Sequence, residues 1–321
     1  MIVLIVIVLV LCLSCASDNK CDQVVLYCSV DQNIAEPIIK RFEEITGIKV
    51  LARFDTESGK TVGLVQRLRA EASAPACDVF WSSEIFYTIR LAGEGIFAPY
   101  KSKRTSCWPA AYTDADSLWY GFALRKRCIA YNTDRVTKQE VPTSLEDLLD
   151  KRWYGRIVMA RPEFGTTGGD LASWRVHYGA DKFKSILRGL SANKIRLVSA
   201  NSTAVRSVAM AQADVCMTDT DDVYAAKLNK WHVNMVFLDQ NHQGALAIPN
   251  TAALIKNAPH EKQARRLMEF LLSDDVEQML FNSDSHNMPL RSSAKGNLDI
   301  DYKRIADELT DAVQEAREIL E

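Results

Sequence analysis

The sequence predicts an α/β fold of two lobes, each a mixed, mostly parallel sheet flanked by helices, with a ligand cleft between the lobes. Three observations carry this. Apolar runs of strand length alternate with helical patterns through most of the chain, as in βα units built on a parallel sheet. The alternation comes as two series, separated by one long run, "GFALRKRCIAYN" (121–132), read as a strand that crosses between lobes. With 321 residues, 47% apolar and 25% charged, the chain has enough material for two cores of ordinary domain size.

Taken in order, "VVLY" (24–27) is a buried strand. "EPIIKRFEEITG" (36–47) is a helix with Ile38, Phe42 and Ile45 on one face, Pro37 in its first turn and Gly47 at its stop. "IKVLARF" (48–54) is a strand, and "TVGLVQRLRAEA" (61–72) a helix with Leu64, Val65, Leu68 and Ala72 inward. "CDVFW" (77–81) is a strand and "EIFYTIRLAGEG" (84–95) a helix ending at glycine. After the crossing strand, "SLEDLLD" is a short helix capped by Ser144. The second series runs "RIVMA", "GGDLASWRVHYG", "DKFKSILRGL", "KIRLVSA", "STAVRSVAMAQA", "DVCMT", "DVYAAKLNK" and "VNMVFL". "GALAIPNTAALI" (244–255) returns towards the first lobe, followed by the helices "EKQARRLMEFLLS" and "DDVEQMLFN". Ile305, Leu309, Val313, Ala316 and Leu320 form one stripe of a packing tail. The expected organisation is 22–122 with 240–297 as the first lobe and 123–239 with 298–321 as the second.

Residues 1–21 stand apart. Residues 2–13 are continuously apolar, short for a membrane span but of the length of a secretory signal. Ser14-Cys15 has the form of a lipoprotein cleavage site, with Cys15 the lipid-bearing residue; the alternative is a segment that stays uncleaved as an anchor, and either way the chain is expected outside the cytoplasmic membrane and tethered to it. A net charge of −2 gives no basic field for nucleic acid. No cofactor is required, and a monomer is expected. The cysteines after the leader are open to disulfide pairing in an oxidising compartment, although Cys28 and Cys216 read as small buried residues in strands.

Ligands of open parallel sheets sit beyond the carboxyl ends of strands. Here those ends are 28–31, 55–60, 82–84, 161–169, 199–202 and 218–222, rich in hydroxyls, carboxylates and helix starts. "TDTDD" places Asp219, Asp221 and Asp222 between a strand and a helix, where acids favour the helix dipole but also repel one another until a cation joins them. With Asp31 and Glu84 in the same crevice, the donors are hard oxygens, suited to Ca, Mg, Mn or ferric ion. The sixth position from Asp219 is Tyr224 instead of glycine, which excludes a calcium loop of the EF type. "FGTTGGD" (164–170) and "NST" (201–203) open helices, and Thr166, Thr167, Asn201 and Ser202 there suit an anion. Arg125 and Arg127 share one face of the crossing strand; Arg125 is taken as a ligand contact, while a structural ion pair is the commoner role for each. "SGKT" (58–61) ends like a phosphate loop, but Phe54 occupies the position of its first glycine. The stretch is read as a cleft rim, with Thr56 and Ser58 facing solute. Trp81 ends a strand where it can stack on an organic ligand or form part of the wall.

"YCSVDQNIAEPIIKRFEEITGIKV", "DVFWSSE", "RLAGEGIFAPY", "YGRIVMARPEFGTTGG", "MTDTDDVYAAK" and "IPNTAALIKNAPHEKQARRLMEFLLSDDVEQML" resemble, over about residues 22–295, the extracellular solute-binding proteins of ABC importers. The branch is the one with ferric-ion-, thiamine- and phosphonate-binding members. The resemblance implies a periplasmic-binding-protein type 2 fold that closes on a small charged solute and delivers it to a permease. In the ferric members a His, a Glu and two adjacent tyrosines hold the metal; the matching positions here are Asp31, Ser83 or Glu84, and Thr220-Asp221. The companion anion's site matches Thr166-Thr167-Gly168 and Asn201-Ser202. The leading solute is therefore ferric iron or another hard metal with a companion anion, held by Asp31, Glu84, Asp219 and Asp221. The alternative is thiamine or a phosphorylated or phosphonate compound. A reading of another class takes "DTDDV" as the nucleophile signature of a haloacid-dehalogenase-type phosphatase using Asp219, but that motif normally lies near the start of its domain.

Overall fold

The computed structural model describes residues 22–55, 61–106, 108–239, 245–290 and 300–321. The leader with Cys15, and Thr56, Ser58 and Lys60, lie outside the described residues. In the first lobe, β2 (Lys49–Phe54), β1 (Gln23–Cys28) and β3 (Val79–Ser82) are parallel neighbours, and β9 (Ala247–Leu254) joins β3 antiparallel. In the second, β6 (Arg196–Val198), β5 (Ile157–Ala160) and β7 (Val215–Asp219) are parallel neighbours. One strand, β4 (Tyr120–Asn132), serves both lobes. Its first half pairs with β9 as far as Lys126–Ala247; from Arg127–Asp219 onward it pairs with β7, and further on with β8 (Val233–Val236). Every described pairing of β4 is antiparallel, and so is that of β9 with β3. The sheets are mixed, as expected, with the antiparallel pairings made by β4 and β9. The reason is geometric: strands that return between lobes cannot all run with their neighbours.

Helices pack on these sheets through the apolar faces read from the sequence. The first, α1 (Gln32–Thr46), buries Ile38 and Phe42, while Ile45 is exposed. It starts earlier than expected, so Pro37 lies inside it; Gly47 closes it at φ 71°, a left-handed stop suited to glycine. At the start of α2 (Val62–Ala70), Asp55 accepts the Leu64 N–H at 3.2 Å, and a Cβ on Gly63 would stand 2.6 Å from Asp55 Oδ1. Seen from these described residues, the "SGKT" stretch leads into a carboxylate-capped helix start.

Two glycines at the start of α4 (Thr167–Tyr178) are required by packing. A Cβ on Gly168 would lie 2.8 Å from the Pro162 carbonyl, and one on Gly169 would lie 2.0 Å from the Phe86 ring. Phe86 begins α3 (Phe86–Gly93) of the first lobe, so Gly169 marks where the lobes touch. The tail, α10 (Tyr302–Leu320), straps the two together. Tyr302 is buried beside Phe86 and Tyr112 and donates to the Ala247 carbonyl at 2.6 Å. Further along, Glu308 and Glu315 pair with Arg175 of α4. Cys28, Cys77, Cys128 and Cys216 are buried free thiols, and Trp81, offered as a stacking surface, is a core residue 6.0 Å from Phe122.

Replacing Gly169 with Ala should overpack the Phe86 seat and lower stability by about 1–3 kcal/mol. Equilibrium denaturation checks this, and Phe86→Leu in the same chain should recover part of the loss.

Candidate functional site

The ends of β1, β3, β5 and β7 meet where β4 changes partner, and they enclose a cleft of about 660 Å³, counting the open solvent at its mouth. Asp31, Ser83 and Arg125 line it with Thr166, Asn201, Ser202, Asp219, Asp221 and Asp222. Six separate stretches of sequence thus bring their predicted residues to one place.

At the floor is a buried ion network. Arg127, 4% exposed, donates from Nε to Asp170 and from Nη1 to Asp219, each at 2.9 Å. Arg125 Nη1 lies 3.0 Å from Asp221, its Nε lies 3.5 Å from Asp219, and its Nη2 donates to the Ser83 carbonyl at 2.7 Å. Arg125 therefore ties β3 of the first lobe to the start of α7 (Thr220–Leu228) in the second. Burial alone disfavours these charges. For Arg125 it is outweighed by Asp221 and Asp219, and the guanidinium pKa is raised. For Asp219 burial is outweighed by Arg127 and Arg125, and the carboxyl is held below its usual range.

Asp219 is saturated further. Thr166 donates to it at 2.5 Å and Asn201 at 3.1 Å. The Thr166 hydroxyl also accepts from Arg127 at 3.2 Å and from Asn201 at 3.1 Å, while Thr167 donates to the Asn201 carbonyl oxygen at 3.3 Å. The group expected to cradle an anion is thus knitted around Asp219. The carboxylate oxygens of Asp219, Asp221 and Asp222 still lie within 4.8 Å of one another. Asp222 accepts from Thr218 at 2.9 Å, and both Asp221 and Asp222 sit in the first turn of α7, where the dipole favours them. Across the cleft, the exposed Asp31 precedes α1, its carbonyl accepting from Ile34 and Ala35.

Four expected contacts are corrected. Glu84 is fully buried and takes the Phe86 N–H at 2.6 Å and the Tyr87 N–H at 3.2 Å, capping α3 instead of facing the cleft. Thr167 is fully buried, and the Thr220 hydroxyl accepts the Lys126 N–H at 3.2 Å; neither lines the cleft. Asp219, offered as a metal ligand, serves chiefly to anchor two guanidiniums. Sequence reasoning had not singled out four polar lining residues: Ser29, Ser199, Ser285 and Asn287. Ser29 and Ser199 fall at strand ends. Ser285 and Asn287 come from the polar stretch after α9 (Asp274–Asn282), whose composition is that of any turn.

Residues 75–304 match the bacterial extracellular solute-binding proteins. Iron uptake protein A1 of Synechocystis sp. is 27% identical over 266 residues, which cover 79% of this chain and 72% of that protein. A putative 2-aminoethylphosphonate-binding periplasmic protein of Salmonella typhi is 26% identical over 257 residues, covering 78% and 72%. In fold, iron-bound HitA from Pseudomonas aeruginosa superposes with a TM-score of 0.81 at 22% identity, over 93% of this chain and 99% of that one.

Burial raises the Glu84 pKa from 4.5 to about 7, against the N–H groups and Arg125 that favour its charge. A carboxyl raised in the folded state adds stability that is complete below its unfolded value and is lost as pH rises through the folded one. The melting temperature should therefore carry a component that falls between about pH 4.5 and pH 7. Thermal denaturation of Glu84→Gln across that range should show this component gone.

Proposed function

The chain belongs to the bacterial extracellular solute-binding proteins, and from that premise we propose that it is the receptor of an ABC importer for ferric iron or another hard metal ion taken with a companion anion. The observation that carries the reading is the cleft's charge. Asp31, Asp219, Asp221 and Asp222 face two guanidiniums, of which only Arg125 lines the cavity, so the wall presents an acid excess to a cation. Hard oxygen donors are the chemistry such ions take, and iron uptake protein A1 is among the relatives. The absence of phenolates at Thr220-Asp221 makes the donor set one of carboxylates. Arg125, whose guanidinium reaches both lobes, suits the companion anion. The family is one of binding proteins, and with three hydrogen-bond donors already directed at its carboxylate and Arg125 Nε 3.5 Å away, Asp219 is poorly placed to act as a phosphatase nucleophile.

A second reading has a specific observation behind it. A permanent guanidinium lies 3.0 Å from Asp221, so cation- and anion-binding groups stand side by side. A zwitterion such as an aminophosphonate would use both, and one relative is named for 2-aminoethylphosphonate.

A ligand at 100 times its dissociation constant stabilises by about 2.7 kcal/mol, or roughly 5 °C for a chain of this size. Screening ferric ion with bicarbonate, divalent ions, thiamine and phosphonates by thermal shift should give one such response. Asp221→Ala should abolish it; because the substitution also removes a partner of Arg125, the unliganded melt should fall while the folded circular-dichroism signal is kept; an undiminished ligand shift in that variant refutes the role given to Asp221. The anchor reading is tested separately: cells expressing Cys15→Ser should release the protein from the membrane fraction into the soluble one.

A further inference from the structure

The stretch between α9 and Pro289 brings to the cleft a buried amide whose oxygen is unanswered among the described residues. Asn287 is 2% exposed and lines the cavity, and its amide oxygen has no hydrogen-bond partner among the described residues. Buried polar groups normally find a partner, and one left without is destabilising unless something else supplies it. The amide has little freedom to look elsewhere. Next to it, Met288 exchanges backbone hydrogen bonds with Leu124 at 2.6 and 2.7 Å. On the other side, the His286 ring lies 4.2 Å from that of Phe281 and 4.4 Å from that of Tyr224. Leu290 N–H and Ala123 N–H both end on the buried Glu277 carboxylate, at 2.7 and 3.1 Å. The segment is thus pinned to the crossing strand at the point where that strand bulges.

We propose that Asn287 is a specificity-determining residue of the cleft, its amide oxygen accepting a hydrogen bond from an N–H or O–H donor on the bound solute. The proposal rests on the receptor reading above and narrows it: the solute is a donor-bearing cation, not a bare one. Asp31, Asp221 and Asp222, which line the same cavity, likewise offer acceptors. The Nη1 and Nη2 donors of Arg125 are directed at Asp221 and the Ser83 carbonyl, and its Nε lies 3.5 Å from Asp219. A neutral amide adds an acceptor without adding charge, so it selects for donor geometry where the carboxylates select for charge. Two sources fit: an ammonium group on an organic solute, and water or hydroxide bound to a metal ion.

The test uses the full chain with Asn287→Leu, of similar shape but without polar atoms, and Asn287→Asp, which keeps the acceptor. Affinities are measured for 2-aminoethylphosphonate, for ethylphosphonate (the same anion without the ammonium) and for ferric ion with bicarbonate. Asn287→Leu should weaken the donor-bearing probe by about 10-fold or more, while Asn287→Asp should hold or tighten it. Response to 2-aminoethylphosphonate but not ethylphosphonate identifies the ammonium as donor; response to ferric ion identifies the metal-bound oxygen. Unchanged affinity in Asn287→Leu overturns the proposal, as does an equal loss in Asn287→Asp. Without ligand, Asn287→Leu should melt higher, because it removes an unsatisfied acceptor. A lower melt would show that the amide already has a structural partner and would overturn the proposal. If no probe binds the parent protein, the solute assignment fails on its own, and the unliganded melts still decide the status of the amide.

Discussion

Two guanidiniums on one face of the strand that crosses between the lobes hold the cleft floor together. Arg127 sits between Asp170 and Asp219, and Arg125 between Asp219 and Asp221. A buried charge deprived of its partner costs about 3–5 kcal/mol, so these side chains stand or fall as one unit. Their arrangement decides much else. Thr166 and Asn201 are turned inward to complete Asp219, α4 must begin where its carboxylate Asp170 meets Arg127, and Arg125 is left bridging to Ser83 of the other lobe.

The network also shapes what the cleft can hold. Asp219 is enclosed by cations and neutral donors, so its charge is largely answered from within. What remains for a solute is Asp221, Asp222 and, across the opening, Asp31. That residual charge favours a cation, and the adjacent Arg125 raises the cost of a bare multivalent ion unless an anion accompanies it. Metal with companion anion and organic zwitterion are thus two solutions to one electrostatic problem, and Asn287 adds a demand for a hydrogen-bond donor that charge alone does not impose.

Contact between the lobes is made by small and aromatic groups in place of ion pairs alone. Gly169 leaves room for the Phe86 ring, Tyr302 packs on that ring from the strap helix, and the bulge of β4 is satisfied by Glu277 and Asn250. A polar backbone at a crossing point has to be paired when water is excluded, and here side chains of β9 and α9 do it.

Sequence periodicity was enough for the order of strands and helices, because burial on one face leaves a repeat of two or about 3.6 residues that survives any tertiary context. It also located the crossing strand, the acids of "TDTDD" and the hydroxyls of "TTGG" at strand ends, since chemistry concentrates there in parallel sheets. Tertiary structure alone decided which of these groups face a solute. Glu84 lies one residue from Ser83, yet caps a helix, and Asp219 and Asp221 share a motif, yet one is enclosed and the other lines the opening. Asn287 carried no signal in a stretch that reads as any polar turn. Residue type is written in the chain, but whether a carboxylate meets a guanidinium, an N–H or open space depends on neighbours tens to hundreds of residues away, and that is settled only when the lobes pack.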